Sequence, residues 1–277
     1  MSRVVDHVVL AVRDLGAAAA AYEAMGFTLT PQAQHPFGTG NRLALLDGDF
    51  IELLAVTQPG DVTEAGAGAF SFGAYNRDFL GGREGMSMLA LQSEDWQADR
   101  EEFEEKDLET YWPFEFSRQA AQPDGSEVTV GFKLTFVTGD NMPQMPFFTC
   151  HHQHTREFFF KPQFQEHANG AQRIMRVIVL SNEPRETDKF LTKLDMELDQ
   201  MAVFSPKQFR DLFPEITPPI ADHGAVFAGY WVVVRDLQQT REVLAEGGVP
   251  VNDSPKCVEV GPEFAFGATV VFSEELR

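Results

Sequence analysis

Cysteine is nearly absent from this 277-residue chain, which carries only Cys150 and Cys257. Neither has a CxxC partner, so no disulfide framework can form, and the pair suits a reducing compartment. Long apolar runs are missing as well. The longest candidates, such as Tyr230 to Val234, have the length of a strand, far short of the ~20 residues that cross a bilayer. The first residues enter strand-like sequence at once, without the basic, apolar and small-residue succession of a secretory leader. A cytoplasmic protein without membrane contact is the expectation. Positive charge is scarce: 22 basic residues face 42 acidic ones, a formal net charge of −20, which repels phosphate backbones and removes nucleic acid from the partners. Part of the acid falls in Glu94 to Glu109 and reads as the solvated face of a helix. No P-loop occurs, and the GxG at Gly38 precedes a strand instead of opening a helix, so it is not a dinucleotide fingerprint.

What is present is a repeat. DHVVLAVRDLGAAAAAYEAMGFTL, from Asp6, and GYWVVVRDLQQTREVLAEGGVPV, from Gly229, each read strand, helix, strand, and each strand ends in Val-Arg-Asp-Leu. Four strand-helix starts follow from placing the strand ends at Val12, Leu91, Leu180 and Val234. The first unit continues with Phe27 to Thr30, a Gly-rich loop from His35 to Asn41, and strands Arg42 to Leu46 and Phe50 to Val56, joined at the Asp47-Gly48-Asp49 turn. The second has a helix from Asp95 and strands at Tyr111 to Gln119, Glu127 to Val137 and Pro146 to His152, with a hairpin at Gln122-Pro123-Asp124-Gly125. Both read βαβββ. The third, with its helix at Glu183 to Lys193, is truncated: a short helix at Pro206 to Phe213 and a proline-broken stretch stand where its last strands belong. The fourth has a helix at Leu237 to Glu246 and strands at Cys257 to Val260 and Ala268 to Phe272. The reading divides the chain into an N-terminal domain, 1–156 (modules 1–60 and 84–156), a connector, 157–172, and a C-terminal domain, 173–277.

Several of these segments carry a resemblance. DHVVLAVRDL, HPFGTGNRLALLDGDFIELL, PFFTCHHQHT and HANGA are similar, in that order and over essentially the whole chain, to the glyoxalase-like branch of the vicinal oxygen chelate superfamily. The resemblance implies an α+β fold of repeated βαβββ modules paired into two cupped mixed sheets, the glyoxalase/bleomycin resistance/dihydroxybiphenyl dioxygenase fold, with ligands facing inward from the first and last strand of each module. His7 matches the first-strand metal position and Glu52 the last-strand carboxylate. In the second module, aligning Leu91 with Val12 sets Met86 opposite His7, and a thioether is a poor ligand for such metals. The last-strand position falls at Cys150 or, with a one-residue shift, at Thr149. Strand alternation then turns either Cys150 and His152 or Thr149 and His151 inward. His152 is taken as the imidazole closing a His7, Glu52, His152 set, with His151 and His154 as alternates.

Two imidazoles and a carboxylate suit a divalent ion (Fe, Mn, Ni or Zn) with open positions for oxygen ligands. A substrate with two neighbouring oxygens could chelate it while a carboxylate moves a proton, a role open to Glu52 if it is not itself a ligand. His35, Thr39 and Asn41, in the loop whose family counterpart borders the pocket, are candidate substrate donors. Bland readings stand beside these. His7 on an alternating apolar strand could be a satisfied core histidine, Glu52 could pair with an arginine such as Arg42, and the histidines around His152 could lie on a surface loop. The resulting expectation is a metal-dependent enzyme of lyase, isomerase or ring-cleaving dioxygenase type acting on a small molecule, as a monomer or homodimer. The alternative, favoured by Met86 at a ligand position, is a metal-free binding or resistance protein on the same fold.

Overall fold

The computed structural model describes residues 2–121, 126–140, 142–219 and 224–274; the hairpin expected at Gln122 to Gly125 lies outside them. The first module runs β1 (Val5–Ala11), α1 (Leu15–Ala24), β2 (Ala33–Gln34), β3 (Thr39–Leu45) and β4 (Phe50–Val56). Asp14 caps α1 by accepting from the Ala17 amide, which is why Val-Arg-Asp-Leu marks a strand-to-helix junction. The strand expected at Phe27 to Thr30 is instead irregular chain. Thr30 still pairs with Leu43, but Pro31 has no N–H to continue the ladder, and β2 begins beyond it.

A helix unforeseen in the sequence, α2 (Phe72–Gly82), precedes the second module. That module comprises β5 (Gly85–Ser93), α3 (Trp96–Glu105), β6 (Glu109–Thr110), β7 (Phe114–Ala121), β8 (Glu127–Thr138) and β9 (Phe147–His152). The strand expected from Tyr111 to Gln119 begins only past Pro113, as β7, with the two-residue β6 lying before the expected start. After α4 (Arg156–Phe159) come β10 (Ala171–Ser181), α5 (Pro184–Lys193), β11 (Met201–Phe204) and α6 (Pro206–Leu212), then β12 (Ala225–Val234), α7 (Leu237–Glu246), β13 (Val251–Asp253), β14 (Val258–Val260) and β15 (Thr269–Ser273). Among the described residues the third module therefore has a single strand, β11, after its helix.

Two mixed sheets result, ordered β2-β3-β4-β1-β5-β9-β8-β6 with β7 on β8, and β11-β10-β12-β15-β14-β13. In each, first strands of successive modules pair antiparallel at the centre, β1 with β5 and β10 with β12, and each pairs parallel with the last strand of its own module where that strand exists. The first sheet curls until its ends touch: the His35 ring meets Phe116 at 5.4 Å and Phe37 meets Phe114 at 5.0 Å.

Alternation assigns the faces. Val8, Leu10 and Val12 of the first sheet join Val177, Tyr230 and Val232 of the second in one core between the convex sides. There the Tyr22 and Tyr230 hydroxyls meet at 2.6 Å, and Asp49 in the β3–β4 turn accepts from the Ile174 amide at 3.1 Å. The concave side of the second sheet is filled by Phe209 and Phe213, from α6 and its C-cap, against Ile178, Leu180 and Val226. The concave side of the first is lined by a separate aromatic cluster. Among the described residues no helix is long and apolar enough to cross a membrane.

Candidate functional site

The hollow of the first sheet gathers its polar side chains from β1, β3, β4 and β9, and most of them obey the period-two rule. From β1, His7 and Val9 face in; from β4, Phe50, Glu52 and Leu54; from β9, Phe148, Cys150 and His152. Asp6 breaks the rule. The β1–β5 register passes from Val5–Leu91 directly to His7–Ala90, so Asp6 sits in a bulge. That bulge turns its carboxylate to the same side as its neighbour's imidazole, a use of bulges that recurs beside functional sites.

Asp6 joins two imidazoles. Its Oδ1 lies 2.6 Å from His7 Nδ1, and its Oδ2 lies 3.2 Å from His152 Nε2. Burial opposes the charge on Asp6, but the charge of His152 and the hydrogen bonds from His152 and His7 outweigh it and hold the carboxyl well below the usual range. An ionised carboxylate only accepts, so His7 donates through Nδ1–H and leaves Nε2 directed at Glu52 Oε2, 3.7 Å away. The other Glu52 oxygen accepts from Asn41 Nδ2 at 2.6 Å and lies 4.0 Å from His35 Nε2. The ring of His35 is fixed by Thr39, whose hydroxyl is 2.8 Å from Nδ1. The hairpin carrying these residues turns at Gly38, where φ is +87° and a Cβ would stand 2.6 Å from the Gln58 carbonyl oxygen; only glycine suits the position.

All five groups, Asp6, His7, His35, Asn41 and Glu52, are 4–5% exposed, and burial shapes their charge. It raises the Glu52 carboxyl, against the opposing effects of His7, Asn41 and Arg118. It lowers His35 to about 3, with Arg118 and His7 adding to the effect. It pushes the Cys150 thiol well up, reinforced by Asp6 and Glu52. Glu52 is thus a carboxyl able to hold a proton, His35 a neutral imidazole, and Cys150 a thiol rather than a thiolate.

The expected His7, Glu52, His152 set is brought together in part. His7 and Glu52 face each other, whereas the polar partner of His152 is Asp6. Asp6, His7 and Cys150 form a cluster whose donor atoms all lie within 4.8 Å of one another. His151 faces away, beside Lys133, and His154 Nδ1 bonds the Gly131 carbonyl at 3.0 Å. The expectation that Met86 lies opposite His7 is corrected. Parallel pairing sets His7 beside Phe50 and Ala90 beside Phe148, and His7 and Ala90 are themselves partners. Ala90 is therefore the second-module equivalent of His7, as Cys150 is of Glu52. Met86 packs in the core between the sheets; β5 runs two residues past Leu91, so matching strand ends put the alignment out of step. Arg42 is also not the partner of Glu52, since it bonds Glu23 at 2.8 Å.

Two site residues escape a reading of the sequence. Asp6 stands next to His7, but strict alternation sends it to the other face. Arg118 continues the inward series Phe114, Phe116 on β7 and could have been found by extending it. Around these groups the cavity is walled by Phe37, Phe50, Phe72, Phe116, Phe132 and Phe159, with Phe148 at its floor. His7 stacks on Phe50 with centroids 4.2 Å apart. The enclosed volume is about 40 Å³, room for about three waters at ~10–15 Å³ each.

A family model described as a glyoxalase-like domain matches residues 5–194. Among curated proteins, none matches the sequence. Of the solved structures, a hypothetical protein from Staphylococcus aureus superposes with a TM-score of 0.69 at 14% identity, covering 99% of this chain and 100% of that one. A xylose isomerase-like TIM barrel/4-hydroxyphenylpyruvate dioxygenase fusion protein gives 0.58 at 11% identity over all of this chain and 49% of its own. A variant of 4-hydroxymandelate synthase from Streptomyces coelicolor gives 0.57 at 8% identity over all of this chain and 94% of its own. At these identities the likeness is one of fold.

Proposed function

The chain belongs to the glyoxalase-like domain family of the vicinal oxygen chelate superfamily, and on that premise we propose that the hollow of its first sheet is the active site of a metal-dependent enzyme acting on a small organic molecule with neighbouring oxygens. One observation carries the reading: Asp6 fixes the His7 tautomer so that Nε2 points at Glu52, with 3.7 Å between them. Two donors held at about 2.0–2.2 Å from one ion stand at most ~4.4 Å apart, so the pair fits a shared metal. A carboxylate on the far nitrogen of a ligating histidine is the support such ligands ordinarily have. Cys150 and, beyond Asp6, His152 complete the candidate donors. A set of nitrogen, oxygen and sulfur suits Fe, Mn, Ni or Zn better than magnesium or calcium.

A divalent ion there supplies Lewis acidity, stabilising negative charge that develops on two neighbouring oxygens. The chain's own residues do the rest. Asn41 orients Glu52 through the bond to Oε1, and burial favours the protonated form of that carboxyl, so where Glu52 is not itself a metal ligand it takes up a proton from substrate and returns it. Neutral His35 presents a ring nitrogen to the same carboxylate without adding charge. The phenylalanine walls exclude water and strengthen every electrostatic interaction inside.

A second reading, a metal-free binding or resistance protein, rests on two observations: the second module places Ala90 where a ligand would stand, and Asp6 is already satisfied by two imidazoles. Plasma mass spectrometry of untagged wild type and His7→Ala separates the two. About one equivalent of a transition metal, lost on mutation, supports the enzyme; a wild type that holds no metal even after incubation with each ion overturns it in favour of the binder.

A further inference from the structure

Arg118 is the cation of the first hollow. On β7 it follows Phe114 and Phe116 at the inward period, opposite Val130 on β8, and it lines the cavity that holds His7 and Glu52. No acidic side chain lies within ion-pair distance of its guanidinium among the described residues; it donates to the Gln119 carbonyl oxygen at 3.5 Å. Glu52 attracts it electrostatically but makes no bond to it, one oxygen being held by Asn41 and the other facing His7. A partly buried guanidinium without a hydrogen-bonded anion is a costly arrangement that a ligand carboxylate would relieve, and its planar fork takes a carboxylate with two parallel hydrogen bonds.

Arg118 also stands at a boundary. An outer cleft of about 570 Å³ opens beside the inner cavity, and the two share Leu43, Arg118 and Phe159. The cleft has the size of a small-molecule site; the inner cavity alone does not. Phe159 is the partition, carried on the four-residue helix α4 and packed on Phe50 and Phe132. Lys161 and Glu127 line the outer cleft as well. In a chain of net charge −20 the overall field repels anions, so an anionic ligand needs a dedicated cation at the site.

We propose that Arg118 anchors a carboxylate of the substrate, and that the substrate class is a small carboxylic acid on an apolar or aromatic frame, entering by the outer cleft and passing Phe159 to reach His7 and Glu52. This rests on the reading of the first hollow as a substrate site, not on the presence of metal. Arg118 is a specificity residue in this scheme, set apart from the groups that carry the metal and the proton.

The test titrates benzoate, phenylacetate and 3-phenylpropanoate, each beside its neutral amide, into wild type, Arg118→Gln and Arg118→Lys, by calorimetry, with metal content and thermal unfolding measured on the same preparations. At least one acid should bind wild type tenfold or more tightly than its amide. Arg118→Gln should remove that preference while leaving amide binding, metal content and the unfolding midpoint close to wild type, and Arg118→Lys should restore part of it. No acid preferred over its amide by wild type, or a preference retained in Arg118→Gln, overturns the proposal. Wild type that takes up no metal after incubation with each ion but still shows the preference overturns the metal reading and leaves the anchor standing, so the two failures are distinct.

Discussion

The His7 ring and the Asp6 carboxylate are neighbours in sequence and partners in space, with Nδ1 and Oδ1 2.6 Å apart. Residues adjacent on a regular strand point to opposite faces, and only the bulge between Val5 and His7 allows this bond. It leaves one imidazole nitrogen for Glu52 and gives the site its orientation. Asp6→Asn should keep the fold and lower metal affinity about 10–100-fold, the usual effect of removing the group behind a ligating histidine. Competition titration of one metal into both proteins measures it; equal affinities would show that the bond does not orient a ligand.

His35 sets a pH dependence. Its folded-state value of about 3 lies below the ordinary histidine value of 6.5. Between these, the unfolded chain binds a proton that the folded one refuses, so stability falls as pH drops from 6.5 towards 3, by up to ~1.4 kcal/mol per pH unit. His154, lowered to about 4 by burial and then by the His152 charge, acts with the same sign. His35→Gln should flatten the slope of denaturant stability against pH between 6 and 4 without abolishing it. A variant as steep as wild type would mean that His35 is charged in the native state.

The tyrosine pair between the sheets is a case for a double-mutant cycle. Tyr22 and Tyr230 are both fully buried, and each hydroxyl meets the other at 2.6 Å. Tyr22→Phe strands the Tyr230 hydroxyl and should cost about 1–3 kcal/mol. Adding Tyr230→Phe should recover part of that loss. Additive losses in urea melts would show that the hydroxyls are not coupled.

Phe159 and Phe136 belong to the same aromatic cluster but differ in surroundings. Phe136 is fully buried in β8, whereas Phe159 keeps 8% exposure on a single helical turn. Phe136→Ala should cost about 3–5 kcal/mol. Phe159→Ala should cost less, because a short helix can settle into the space, and should accelerate binding of any ligand that reaches the inner cavity. Stopped-flow association rates equal to wild type would show that Phe159 does not gate entry.

The modular plan was legible because each module opens with an apolar strand, and in three of the four that strand runs into an aspartate cap, Asp14, Asp95 or Asp236, a signal local in sequence. His7 and Glu52 were singled out through the resemblance rather than by strand pattern, since a histidine on an apolar strand read alone suits the core; the fold sets the two side chains facing each other. What escaped depends on pairing. Asp6 reaches the site through a bulge, and the equivalence of Ala90 with His7 follows from the β1–β5 register; neither is written in one strand alone. Matching strand ends was a poor substitute, since strands differ in length, and it misplaced Met86. The helix α2 was missed because its two glycines at the end and its polar middle weaken any apolar periodicity, although Ser71 caps it in the ordinary way.

The second sheet repeats the pairing plan of the first, yet Phe209 and Phe213 occupy the space that in the first sheet remains a cavity. The molecule thus holds a cup and its own solid casting. Cutting Phe213 back to alanine would hollow the cast without touching the cup, giving a dry void able to take up xenon while the side chains of the first hollow stay in place.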